Sequence, residues 1–141
     1  MTPEKIALVQ KSFSQVVPIA DQAAMLFYDR LFEIAPEVKP IFGDADMAEQ
    51  RRKLMATLGV VVSGLTRLET VLPAASALAK KHVSYGVKDE HYSIVGSALL
   101  WTLEKGLGEA WNPEVADAWA TAYGTLSNYM ISESHIAQAA E

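Results

Sequence analysis

Five polar side chains fall where helical spacing aims them into apolar stripes: Tyr28, Gln50, His82, Tyr92 and Glu133. His82 closes the stripe Leu72, Ala75, Leu78 and Ala79, whose i, i+3 and i+4 spacing turns the imidazole inward. An inward imidazole needs a partner for its polar nitrogens. That partner is a backbone carbonyl, another side chain or a metal. Tyr28 stands beside the stripe Ala20, Ala24, Phe27 and Leu31. Gln50 lies four residues before Leu54, on the face of Leu54, Leu58, Val61 and Leu65. Tyr92 precedes Val95, Leu99 and Leu103, and Glu133 follows Trp119, Ala122, Leu126 and Tyr129. Taken singly, each has an ordinary explanation: a tyrosine at a core edge, a solvated glutamine, a hydrogen-bonded core histidine, a surface glutamate. Together they would leave several unmet polar groups in an apolar interior, each costing ~1–3 kcal/mol. A bound cofactor with both apolar and polar demands removes the conflict.

The elements that position these groups are helical throughout. Thr2 caps and Pro3 opens a helix to about residue 17, and a second runs from about 19 to 34. Pro36 restarts the chain as a short helical turn to about Ile41, followed by a corner at Phe42-Gly43-Asp44. Asp44 or Asp46 caps a long helix to about Gly64. Leu72-Pro73 opens the helix that ends near His82, and Tyr85-Gly86-Val87 breaks it. Asp89 caps a helix to about Leu107, and Asn112-Pro113-Glu114 starts a last one reaching Glu133 or beyond. The tail from Ala137 to Glu141 is expected to fray. No segment alternates at period two for more than a few residues, so the expected class is all-α. At 141 residues without repeats or a linker, the chain reads as one domain, 1–141.

Composition removes several functions. A net charge of −5, with Arg51-Arg52-Lys53 as the longest basic run, argues against a nucleic-acid partner. There is no cysteine, hence no disulfide, thiolate cluster, thiol nucleophile or covalently attached haem. Residues 1–5 lack the pattern of a secretory signal, and the most apolar stretch, Leu54 to Leu65, is too short to span a bilayer. A cytoplasmic location is expected. The three histidines, His82, His91 and His135, lack the spacing of a His-rich metal site. No duplicated Glu-x-x-His pair faces inward, as a di-iron bundle would need. One inward histidine beside a wide apolar surface suits haem, for which a single proximal imidazole suffices.

The chain resembles the globins, and among them the bacterial single-domain haemoglobins and the haem domain of flavohaemoglobins. The resemblance runs from about residue 4 to about 133. It is carried by Leu-Phe-Tyr-Asp-Arg-Leu-Phe at 26–32, by Pro36 with Ile41-Phe42, and by Gln50-Arg51. Lys80-Lys81-His82, His91-Tyr92-Ser93-Ile94-Val95-Gly96 and Ala118-Trp119 with Ala122-Tyr123-Gly124 continue it. It implies the globin fold around haem b (iron protoporphyrin IX), with His82 as the proximal iron ligand. It further implies that Phe42 packs flat on the porphyrin, that Tyr28 and Gln50 are the distal donors, and that Leu54 lies over the iron. Tyr92 resembles the tyrosine below the haem that supports the proximal imidazole together with a carboxylate of the last helix. Glu133 stands for that carboxylate, one residue before the usual position, which holds Ser134. Tyr85, Val87 and Val95 complete the cofactor contacts, and Lys53 and Lys81 are near enough in sequence to meet the propionates.

The implied activity is reversible binding of O2, NO and CO, with high O2 affinity because Tyr28 and Gln50 donate to the charge that develops on bound O2. Its enzymatic form is dioxygenation of NO to nitrate. The family's flavin module is absent and there is no G-x-G-x-x-G fingerprint, so electrons are expected from a separate reductase. Two other classes stay open: a haem-based gas sensor, and a helical interaction module without cofactor.

Overall fold

The computed structural model describes residues 1–43 and 46–139, with side chains to 136. The described residues form seven α-helices and three short 3-10 turns, with no strand among them. Helix α1 spans Pro3–Val16, where the Thr2 hydroxyl accepts from the Lys5 N–H at 3.2 Å. A 3-10 turn at Val17–Ile19 leads into α2, Ala20–Ile34. Another at Pro36–Val38 precedes the single turn α3, Lys39–Phe42, which ends at Gly43 with φ +50°. Helix α4 spans Met47–Ser63, capped by Asp46 accepting from Ala48 N at 3.0 Å. The alternative cap, Asp44, lies outside the described residues, as does the tail side-chain packing from 137 onward.

The two following helices start differently from the sequence expectation. Helix α5 spans Leu68–Ser84 and so begins a full turn before Leu72-Pro73. Leu68 and Val71 are apolar and pack inward, which favours helix over the turn before the proline. Thr70 closes that turn through Oγ1 on the Arg67 carbonyl at 2.7 Å. Pro73 is tolerated because it lies near the helix start with its ring exposed, at the cost of one backbone hydrogen bond. Helix α6 spans Asp89–Leu107, so Asp89 is its first residue and Lys88 its N-cap. The capping group is His91, half-buried, whose Nδ1 accepts from the Lys88 N–H at 3.0 Å. Helix α7 spans Pro113–Ala139, with the Asn112 side chain accepting from Val115 N at 2.9 Å.

The main core gathers α1, α2, α4, α6 and α7 around Val9, Phe13, Phe27, Leu31, Leu99, Leu103 and Trp119. Trp119 donates its indole N–H to Ser12 Oγ at 2.8 Å, and Ser12 passes its own proton to the Leu8 carbonyl at 2.7 Å. A buried tryptophan is thereby satisfied. Two apolar voids of about 30 and 10 Å³ remain, both walled by Leu58 and Leu99. A second cluster forms where α5 lies on α7: Ala75, Ala79, Tyr92 and Met130, with Leu78 and Val87 against it. The alanines bring the histidine-bearing helix close to its support. No helix among the described residues is long and apolar enough to cross a membrane.

Candidate functional site

Helix α2 sets Tyr28 in an aromatic cage. Its ring meets Phe27 edge-on at 5.0 Å, Phe42 at 5.6 Å and 86°, and Phe32 at 6.1 Å. Phe42 is the last residue of α3, which the turn at Pro36–Val38 joins to the end of α2. Tyr28 is only 8 % exposed, and burial alone pushes its phenol up to about 12. The group is therefore a neutral O–H donor without a protein acceptor among the described residues. Gln50, in the first turn of α4, is half-buried. Arg51 beside it pairs with Asp21 of α2 at 3.2 Å and ties the two helix starts together. Leu54, one turn on, joins the core cluster that holds Tyr28 and Phe42.

His82 is held by the end of α5. Val87 N–H donates to the His82 carbonyl at 2.9 Å, and Gly86 N–H donates to the Val83 carbonyl at 3.1 Å. This paired closure needs a left-handed residue at Gly86, which has φ +86°. The break at Tyr85-Gly86-Val87 is thus the device that fixes the His82 backbone. The imidazole Nδ1 lies 3.3 Å from Tyr92 Oη. Burial pushes its pKa down, which favours the neutral ring. With the proton on Nδ1, the imidazole donates to Tyr92 and leaves the Nε2 lone pair free. Tyr92 is 7 % exposed, and its phenol is raised by burial and by the Asp89 charge. Its carbonyl accepts from Tyr123 Oη of α7.

The remaining candidates divide. Val87 and Val95 are half-buried and pack on the two core clusters. Lys81 is exposed near the end of α5. Lys53 turns to Glu49 at 3.7 Å on the solvent side of α4, and Tyr85 is 58 % exposed. Glu133 accepts from Tyr129 Oη at 3.0 Å and from the Ser76 hydroxyl. Those bonds, with Lys80 nearby, hold its carboxyl below the usual range. Glu133 therefore faces α5 and not Tyr92. Ser134 is buried with its hydroxyl on the Ile131 carbonyl. Sequence reasoning missed Tyr123 and Ser76 as partners in this region, and the pairing of Asp89 with His135 at 2.6 Å. None of these carried a local signal, since each joins residues on different helices.

The described residues contain no group of three His, Asp or Glu able to hold a metal by themselves. A cofactor that brings its own equatorial ligands needs only one protein nitrogen. His82 Nε2, the unpartnered Tyr28 hydroxyl and the apolar Phe42, Leu54, Val87 and Val95 fit a planar, largely apolar group of that kind.

Comparison with known proteins agrees with this geometry. The family model described as Globin matches residues 25–130. A flavohemoprotein of Bordetella parapertussis is 34% identical over 142 aligned residues, covering 99% of this chain and 35% of its own length. One from Rhodopirellula baltica is 35% identical over 134 residues, covering 93% of this chain and 33% of its own. The chain thus spans about a third of the length of these relatives. A solved bacterial globin from Campylobacter jejuni superposes with a TM-score of 0.84 at 27% identity, covering 95% of this chain and 96% of that one. On the family match over residues 25–130, the chain belongs to the globin family.

Proposed function

We propose that the chain, as a single globin domain over 1–141, binds O2, NO and CO reversibly at haem b carried on His82. The observation that carries this reading is the His82 Nδ1 contact with Tyr92 Oη at 3.3 Å, which leaves Nε2 as a free, basic donor. When bound, the group supplies a ferrous centre that takes diatomic ligands and can exchange one electron. The chain's own residues do the rest. With the group bound, Tyr28 would offer an O–H, and Gln50 an N–H, to partial negative charge on a diatomic ligand. Phe42, Leu54, Val87 and Val95 would give the planar group an apolar surface to rest on. Lys53, Lys81 and Tyr85 are at the rim, where cofactor carboxylates meet solvent. High O2 affinity follows from the two donors.

An NO-consuming activity extends this reading. It requires re-reduction after each turnover, and residues 1–141 carry no nucleotide fingerprint, so a reductase supplies the electron in this reading. Visible spectra of the purified protein test the core of the proposal. A Soret band that shifts with dithionite and CO is expected, and no such band after added haemin refutes it. NO consumption with a reductase present then separates enzyme from carrier.

A further inference from the structure

No hydrogen bond among the described residues holds the Tyr28 phenol, and burial is the one influence on its proton. Packing alone therefore aims the hydroxyl. The phenol oxygen lies on the Cβ–Cγ axis, so χ1 decides where it stands. On a helix two χ1 wells are open, at about 180° and −60°. Something must choose between them. Phe32 stands one turn after Tyr28 on α2, and a helical side chain leans back over the preceding turn. Its ring is 6.1 Å from that of Tyr28, tilted by 35°, and 5.5 Å from that of Phe42, nearly edge-on at 75°. Phe42 in turn meets Tyr28 at 5.6 Å. The three rings thus form a closed triangle in which each packs on the other two. Lys39 Nζ lies 5.8 Å over the Phe32 ring, so α3 holds this ring through Lys39 as well as through Phe42.

We infer that Phe32 is the positioning residue that sets the direction of the Tyr28 hydroxyl, by closing the space between the Tyr28 and Phe42 rings. The inference rests on Tyr28 being the donor of the proposed function. Without the Phe32 ring, the second χ1 well opens to Tyr28. The hydroxyl then faces the ligand for only part of the time. Retention of the gas thus depends on a residue that offers the ligand no polar atom.

Two readouts on the full chain test it. In the haem-free chain, three-bond NMR couplings give the χ1 populations of Tyr28. In the haemin-loaded, CO-bound ferrous chain, the C–O stretching band reports whether a donor faces the ligand. Wild type should show one rotamer and a band that Tyr28→Phe displaces. Phe32→Leu should mix two rotamers and move the band toward its Tyr28→Phe position. It should also speed O2 release roughly threefold to tenfold, since a hydrogen bond weakens steeply off line. Phe32→Tyr keeps the ring and should restore all three. Phe32→Met takes the place of Phe32→Leu if the latter does not fold. Phe13→Leu opens space beside Trp119 and should change stability only. In a Tyr28→Phe background, Phe32→Leu should change O2 release no further. A single Tyr28 rotamer in Phe32→Leu overturns the inference, as does a band that only Tyr28→Phe moves, or an equal response in Phe13→Leu. Failure of the wild type to bind haemin instead refutes the proposed function, and the rotamer readout still decides the role of Phe32.

Discussion

Tyr123 of α7 donates its hydroxyl proton to the carbonyl of Tyr92 on α6, and it can do so because Gly96 has no side chain. A Cβ at Gly96 would stand 2.6 Å from the Tyr123 ring. Ring and helix cannot both keep their places with a larger residue there. Gly96→Ala should therefore destabilise the fold by about 1–3 kcal/mol, the usual range for overpacking. Urea unfolding measures it. A neutral result would mean that the ring moves freely and does not brace Tyr92.

His82→Gly removes the one imidazole with a free nitrogen beside Tyr92. The variant should lose the ferrous Soret spectrum of the wild type, and free imidazole in the buffer should restore it. Retention of the wild-type spectrum without imidazole would assign the ligand elsewhere.

Tyr28→Phe keeps the aromatic cage and deletes only the hydroxyl. A hydrogen bond to a charged acceptor contributes ~1.5–3 kcal/mol, so O2 should leave about ten to a hundred times faster. Stopped-flow release kinetics read this directly. CO, which gathers less charge, should respond less.

The same hydroxyl predicts an alkaline weakness. Tyr28 titrates near 10.0 when unfolded and at about 12 when folded. Its folded value is raised, so its contribution is complete below pH 10 and is lost as pH climbs toward 12. Over those two pH units the loss is about 2–3 kcal/mol. Chemical unfolding at stepped alkaline pH should show a steeper decline in wild type than in Tyr28→Phe. Parallel declines would mean that the phenol is solvated.

Much of this was legible in the sequence because helical periodicity is local. The stripes through Phe27, Leu58, Ala79 and Trp119 mark buried faces, and Thr2, Asp46 and Asn112 cap by short-range hydrogen bonds. His82 and Tyr92 were legible as inward groups for the same reason. What depended on which helices meet was not. The start of α5 at Leu68 was hidden by Pro73, whose usual meaning as a helix opener gave way to apolar packing of Leu68 and Val71. The direction of Glu133 was hidden because spacing on α7 says nothing about Ser76 on α5. The bond from Trp119 to Ser12 joins residues 107 apart and has no local signature.

The two small voids beside Leu58 and Leu99 carry a mechanical consequence. Unfolding lets water occupy space that the native chain leaves empty, so the unfolded state is the denser one. Hydrostatic pressure therefore works against this fold. Both spaces lie between α1, α4 and α6, so pressure-induced water entry should be sought beside Leu58 and Leu99.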